Sequence, residues 1–465
     1  MNPENLNANE IFENLERHTS FKDDVVAWIG LRPVDFSSIQ FAYPDAIAST
    51  RYGKESQLLE RKYSLISTEK QTKTRTDSSL AEIEPYIDEF LKSFDGQPTH
   101  LVCYHSTSVL EEIAKNYPNV QILNPPARLK KFLDTKSKVR RELRNQGIKV
   151  IPGIEGVLEE DSFDKVSKLY GLPFFVQFDD SASGSGSYLI DSQSSFNELK
   201  GKYKNEPVTF MKFLQGPSLN INAVKTRNFT VLSEPSFQII GDPLCTTRKF
   251  GYCGNDFHIG SKLSEEQMNQ IFEMTKKIGK WIGSLGYYGV YGVDFISEGE
   301  DIYFTEINPR FQGSTSLVVD RQIETGKIPL SFFHLVPYLD EISVDPEIIF
   351  EYNKIKDPLN VSQILLHNKS RKNCILESSI MPGRYELSDN KLFYQGPGKM
   401  LSETQSYDEI IIAGDVPIDG TEVLRDSDEF CRIYTYKEVL DNGGKRLNSY
   451  GERLVNLVYK NFKFK

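Results

Sequence analysis

Cysteine is scarce in this sequence and poorly placed for cross-linking. The five residues, Cys103, Cys245, Cys253, Cys374 and Cys431, are odd in number, scattered, and include no C-x-x-C pair. A disulfide framework or a structural zinc site is therefore not expected, and a reducing compartment fits better. Long apolar runs are lacking too: no stretch approaches the roughly eighteen residues that a spanning helix needs. The opening MNPENLNANEIFENLERHT is polar and acidic and carries no apolar core of a signal peptide. A cytoplasmic protein is expected. Basic charge is short as well, with a formal net charge of −10. That argues against a nonspecific nucleic-acid binder and against adhesion to an anionic membrane. No internal repeat and no low-complexity tract occurs. What remains is an ordinary soluble composition, 39% hydrophobic and 26% charged, over 465 residues, long enough for two or three domains.

Residues 1–125 read as a small α/β unit. DVVAWIG (24–30) and HLVCY (100–104) look like short buried strands, and 80–94 and 108–116 carry helical spacing of apolar residues. The Lys/Thr/Ser-rich stretch 67–79 between them reads as an exposed loop. Pro125–Pro126 marks a boundary, since neither residue continues a helix or a central strand. A second unit, 126–334, opens with a basic amphipathic helix over 129–146, stopped by Gly147 and followed by a strand at 148–151. Strand and helix signals alternate over about 150–214 around a Ser/Gly loop at 180–187, and further strands and a clear helix follow over 215–334. After Pro337 short strand candidates (361–366, 374–376, 391–394, 409–413, 431–436) and a closing helix (451–460) suggest a third, β-rich module over 335–465. The fold class expected is α/β (α+β).

The most informative segment is VYGVDFISEGEDIYFTEINPRFQGST, 290–315. Two strand-like runs flank the polar loop 297–301 with Gly299 at its centre, which predicts a hairpin. Centring the turn on Gly299 sets Asp294 opposite Phe304 and Gly292 opposite Glu306. Asp294, Glu306 and Asn308 then share one face, with the two acids as diagonal neighbours and open space beside Gly292. Two carboxylates and an amide embedded in apolar strands are costly unless a cation sits among them. An all-oxygen set of this kind suits Mg²⁺ completed by water and phosphate. Arg310 follows at the strand end, where it can reach a substrate without touching the metal.

At E-I-N-P-R-F-Q-G the sequence resembles the ATP-grasp superfamily, whose metal strand commonly reads E-x-N-x-R. The resemblance runs from Lys136 to Arg321 and is strongest to its biotin-carboxylase-like and amino-acid-ligase branches. It implies an ATP-grasp fold with an N-terminal α/β domain and a C-terminal β-rich module, the grasp domain itself dividing into a lid over about 150–214 and a metal-binding subdomain over about 215–334. It also implies ATP and Mg²⁺, with Mn²⁺ as a substitute, as cofactors. On this resemblance Lys136, which opens a helix, contacts a nucleotide phosphate. Ser181, Ser183, Gly184, Ser185 and Gly186 match the flap over the phosphates, where small residues allow backbone N–H groups to approach closely. Lys212, Phe213 and Leu214 match the hinge that holds the adenine edge, with Asn220 near the ribose. Arg248 or Lys249 supplies a cation near the transferring phosphate. Three positions depart from the family pattern: Gln177 stands where a second lysine is usual, Met211 where an acid is common, and Ser218 at a frequent glutamate position.

The resemblance implies a carboxylate–amine ligase. A substrate carboxylate attacks the γ-phosphorus of ATP, and an amine then takes the acyl group from the acyl phosphate, forming an amide or peptide bond. Arg310 would steady the carboxylate and the later oxyanion, the start of a helix at 314–316 offers N–H groups to an anion, and Arg321 is a candidate for a substrate carboxylate. His258 reads as structural. The expected substrates are small acids and amines, amino acids or a peptide, and a homodimer is a family habit. Two other readings remain: a bicarbonate-activating carboxylase-like enzyme, and a nucleotide-binding regulatory protein with weakened turnover, suggested by Gln177, Met211 and Ser218.

Overall fold

The computed structural model describes residues 24–75, 79–159, 162–179, 186–260, 262–339, 344–355, 358–370, 372–424 and 429–465. The N-terminal part is built on a five-stranded parallel sheet in the order Ser64–Ser67, Ala46–Ser49, Val25–Gly30, Thr99–Cys103, Val120–Ile122. VVAWIG is buried along its whole length, as a central parallel strand covered on both faces must be. The carboxyl ends of three adjacent strands therefore point the same way, and Arg32, Arg51 and Tyr104 follow them directly.

The lid is a separate four-stranded antiparallel sheet in the order Gly153–Val157, Pro207–Lys212, Phe174–Gln177, Ser187–Ile190. It has its own apolar core, with Phe174, Val176, Phe196 and Phe210 buried among one another. The largest sheet has ten strands. It runs from Asp301–Asn308 and Gly289–Glu298 through Ser218–Lys225, Thr230–Ile240 and Tyr252–Asp256. It then passes directly into Ser362–His367, Glu429–Thr435, Glu409–Ala413, Gly383–Ser388 and Lys391–Gly396. The C-terminal strands thus continue the sheet that carries the hairpin, through the pairs Gly254–Ile364 and Asp256–Ser362.

Several sequence expectations change. The helix expected over 129–146 is two helices, Ala127–Leu133 and Lys136–Asn145, broken at Asp134 and Thr135. Asp and Thr compete with helical hydrogen bonding through their own side chains, and Thr135 is extended, which makes Lys136 the first residue of the second helix. Residues 148–151 form an isolated bridge, Val150 to Phe304, rather than a strand. The stretch 67–79 is not simply an exposed loop: Thr68–Thr72 is a short helix, and Thr74–Arg75 pairs in parallel with Glu422–Val423. Its charged residues Glu69 and Arg75 are buried and bonded to each other at 3.1 Å, which composition alone cannot reveal.

A second buried acid joins the N-terminal part to the C-terminal strands. Glu55 accepts the backbone N–H groups of Asp415 and Val416, at 3.1 and 2.8 Å, and Ser56 donates to Asp415 at 3.0 Å. Burial, followed by the proximity of Asp415, pushes Glu55 up to about 8, and burial pushes Asp415 up to about 7. Both values lie above the ordinary ones, so the folded chain keeps protons that the unfolded chain has released. The resulting stability is full in acid and is lost as pH rises from about 4 to about 8. Glu55→Gln is expected to flatten that decline in urea-unfolding midpoints between pH 5 and pH 8, and an unchanged slope would contradict the assignment.

Candidate active site

The hairpin, the lid and the carboxyl ends of the parallel strands enclose a cleft of about 910 Å³. The hairpin strands reach Glu298 and Asp301, so the connection is the two-residue turn Gly299–Glu300, with Gly299 at φ 60, rather than a five-residue loop. The register also differs from a symmetric hairpin. Phe295 pairs with Phe304 but Asp294 pairs with Glu306, because Thr305 is bulged out of the ladder. The acids are therefore directly opposed instead of diagonal. Gly292 faces Asn308, and the space over it is filled by Gln312, which a Cβ at 292 would meet at 2.0 Å.

Asp294 is 9% exposed. Burial, and then Glu306 opposite, push its carboxyl up to about 7. Asn220 and Gln238 donate to its Oδ1, the latter at 3.2 Å, and Asn308 donates to its Oδ2 at 2.9 Å. Asn308, expected as a third metal ligand, directs its nitrogen to Asp294 at 2.9 Å and its oxygen to Arg310 at 2.9 Å, so it links the acid to the guanidinium. Asn220, expected near a ribose, is 2% exposed and is held between Asp294 and Gln312. Its Oδ1 is buried and unpartnered on the cleft wall. Among the described residues no group of three or more His, Cys, Asp or Glu side chains is arranged to hold a metal ion. Two opposed carboxylates, one of them buried, nevertheless fit a hard divalent cation that takes its remaining oxygens from a ligand.

Cations gather opposite these acids. Lys136 Nζ lies 3.5 Å from Glu306. Arg310 donates to the Tyr104 hydroxyl at 2.7 Å and to the Phe311 carbonyl at 3.1 Å, and stacks over the Tyr104 ring. Arg248 and Lys249 also line the cleft, Lys249 from an exposed position. Gln177 does not project freely: Arg140 donates to its oxygen, and its nitrogen donates to Ser187 at 3.2 Å. The lid strand ends at Lys212, which leaves the peptides of Phe213 and Leu214 outside the ladder on the cleft wall. Phe213 stacks on Phe175, which Phe250 meets edge-on, forming an aromatic end to the cleft. Ser181, Ser183, Gly184 and Ser185 lie outside the described residues. Gly186 is buried in the lid, where its carbonyl accepts the Phe178 N–H at 3.0 Å.

The opposite end of the cleft escaped the sequence reading. Arg32, Arg51 and Arg432 converge there on one carboxylate, Glu429. Although burial opposes ionisation, Arg432, Arg32 and Arg51 hold Glu429 far below the usual carboxylate range. Asp35 pairs with Arg32 as well, at 2.7 Å, so three guanidiniums face two carboxylates and one positive charge is left over. The signal was available for two of them: Arg32 and Arg51 follow the carboxyl ends of parallel strands, where α/β sheets bind ligands. Arg321 is not in the cleft; it bonds Glu324 at 2.8 Å and the Leu359 carbonyl at 3.0 Å. His258 is structural, set between Asp256 and the Tyr436 carbonyl.

Residues 134–314 match the family of the ATP-grasp domain. The chain carries an ATP-grasp domain. Curated relatives of this domain include pyruvate carboxylase of Bacillus subtilis, 24% identical over 38% of this chain and 16% of that protein. They also include the [butirosin acyl-carrier protein]–L-glutamate ligase of Niallia circulans, 23% identical over 45% of this chain and 50% of that protein. The matched part spans half or less of the length of these relatives. The likeness of fold reaches beyond the ATP-grasp domain. Biotin carboxylase from Campylobacter jejuni, solved as a β,γ-ATP complex, superimposes with a TM-score of 0.60 at 14% identity, covering 95% of this chain and 92% of that one. Carboxyaminoimidazole ribonucleotide synthase from Aspergillus clavatus, complexed with ATP, gives 0.53 at 14% identity over 95% and 100%. The α/β class and the ATP-grasp fold with a parallel-sheet N-terminal part and β-rich C-terminal strands stand on these findings together with the sheets described above.

The Gly292 contact gives this ATP-grasp wall a direct check. Gly292→Ala must displace Gln312, which helps to hold Asn220 against Asp294. Overpacking of this kind costs about 1–3 kcal/mol. A lowered thermal midpoint, with weaker nucleotide binding in the presence of Mg²⁺, is expected; wild-type values for both would show that the contact does not matter.

Proposed function

We propose that this chain is an ATP-dependent ligase that phosphorylates a small carboxylic acid and couples the acyl group to an amine, releasing ADP and phosphate. The observation that carries this reading is the bulged hairpin, which sets Asp294 directly against Glu306 with Lys136 and Arg310 beside them in one cleft. The ATP-grasp match over residues 134–314 supports it.

Nucleotide would lie with its base at the aromatic end, against Phe175, Phe213 and Phe250, and its phosphates towards the acids. Asp294 and Glu306 would hold Mg²⁺, which when bound neutralises phosphate charge and favours attack at phosphorus. Asn220, Gln238 and Asn308 keep the Asp294 carboxylate in one orientation. Lys136 meets the charge of the phosphates. Arg310, fixed by Tyr104 and Asn308, is positioned to hold the reacting carboxylate and then the oxyanion formed as the amine attacks. In balance, a carboxylate oxygen bonds the γ-phosphorus as the bridging oxygen leaves with ADP. The amine nitrogen then bonds the acyl carbon as phosphate departs, and the proton that the nitrogen gives up leaves with the phosphate. A closed lid keeps water from the acyl phosphate. The arginine-rich end suits an acid with a second anionic group, because Arg32, Arg51 and Arg432 exceed Glu429 and Asp35 by one charge.

Bicarbonate as the acid is the second reading, motivated by the likeness to a biotin carboxylase over 95% of the chain. It requires phosphate release on bicarbonate with no amine present, and it makes no use of the arginine-rich end.

The test is a phosphate-release screen of acids and amines in pairs, with mass spectrometry of any coupled product. Asp294→Asn and Glu306→Gln are each expected to lower turnover about a hundredfold or more. Arg432→Ala should raise the KM for the acid while leaving that for ATP near wild type. Full turnover in either acid variant would sink the ligase reading.

A further inference from the structure

Arg140 stands on the helix Lys136–Asn145, one turn beyond Lys136 and on the same face. It is 5% exposed, yet it lines the cleft. Two of its three nitrogens are committed: Nε donates to the Thr305 carbonyl at 3.0 Å, and Nη2 donates to the Gln177 oxygen. The third, Nη1, is buried with no hydrogen-bond partner. A buried guanidinium N–H left open is costly, and an arginine is kept in such a place most readily by an anion that comes and goes. Among the described residues no carboxylate bonds it, although Glu306 and Asp179 act on it from a distance. Gln177 is neutral, and the Asp179 carboxylate is bonded to Ser137, to the backbone N–H at 2.9 Å and to the hydroxyl at 2.6 Å. Burial, despite the attraction of Glu306 and Asp179, lowers the Arg140 guanidinium only to about 10, so it stays charged at neutral pH.

Gln177 is the complement of this arrangement. A carboxylate at 177 would pair with the guanidinium and cancel it, and a lysine would repel it. The amide oxygen instead fixes one nitrogen, while the amide nitrogen is anchored on Ser187. The fork is thereby held between the lid, through Gln177, and the metal-facing hairpin, through the bulged Thr305.

We propose that Arg140 is a phosphate-binding residue of this cleft: its Nη1 donates to a phosphate oxygen of the bound nucleotide, and Gln177 is the residue that positions it. The assignment rests on the cleft binding a nucleotide, as the ligase reading requires. It supplies the charge that position 177 does not carry, and it removes one reason for regarding the chain as weakened in turnover.

The experiment compares binding of MgATP and MgADP by calorimetry with binding of adenosine by nuclear magnetic resonance. It needs neither the acid nor the amine. Arg140→Gln is expected to weaken both phosphorylated ligands about 10- to 100-fold while adenosine affinity holds. Adding Gln177→Lys to that variant should restore part of the loss by returning a cation to the same place. If Arg140→Gln does not fold, Gln177→Glu in the otherwise native chain serves instead, since it should cancel the guanidinium and give the same phosphate-selective loss. An equal loss for adenosine would make Arg140 a structural residue, and unchanged MgATP affinity would remove its role; either overturns the proposal. Wild-type protein that binds none of the three ligands would overturn the ligase reading and this assignment with it.

Discussion

Everything in the cleft follows from the opposition of two carboxylates across one pair of strands. Asp294 and Glu306 face each other because a single extra residue, Thr305, is accommodated in the strand Asp301–Asn308. Like charges placed in this way repel, and burial of Asp294 deepens the penalty. The surrounding groups answer that repulsion by direction rather than by charge. Three amides, from Asn220, Gln238 and Asn308, bond Asp294, and only Lys136 approaches Glu306 as a cation within ion-pair distance among the described residues. Acids held in place but not neutralised are prepared for a guest of opposite sign.

The three sheets divide the work around that pair. The ten-stranded sheet carries the acids, the parallel sheet delivers Arg32, Arg51 and Tyr104 from its carboxyl edge, and the lid brings Phe175, Gln177 and Phe213 over the top. Arg310 and Arg140 are the ties among them. Arg310 joins the hairpin end to Tyr104 of the parallel sheet, and Arg140 joins the helix Lys136–Asn145 to hairpin and lid together. The lid has a core of its own, so motion relative to the large sheet would disturb few buried apolar contacts.

Much of this was legible in the sequence where local chemistry is strong. The turn at Gly299, the acids on the two strands of one hairpin and the mixed α/β class all follow from spacing and residue type, whereas Lys136 at the start of a helix was implied by the family resemblance, since apolar spacing alone reads as one helix over 129–146. The bulge was not legible, because nothing in DIYFTEIN distinguishes a paired Thr305 from an extruded one. For Asn308 and Asn220 the sequence shows amide chemistry on a strand but not the hydrogen-bond partners the fold supplies, Asp294 and Arg310 for one, Asp294 and Gln312 for the other. Arg32, Arg51 and Arg432 lie far apart in the chain, and their convergence on Glu429 is a product of tertiary structure alone. Glu69 and Arg75 were taken for surface charge for the same reason: each conceals the other.

The passage of the large sheet from Tyr252–Asp256 into Ser362–His367 bears on how the chain can be shortened. These two stretches are joined by backbone hydrogen bonds as well as by side chains, Gln363 bonding Tyr252 and Asn255 and Cys253, Ile364 and Leu366 sharing one apolar core. A fragment ending near residue 335 would therefore expose a raw strand edge at Tyr252–Asp256, with unsatisfied N–H and C=O groups in a largely apolar neighbourhood. Such an edge recruits other chains. The C-terminal strands act as the sheet's own stopper, and trimming them away to isolate the nucleotide-binding part invites aggregation instead of a smaller enzyme.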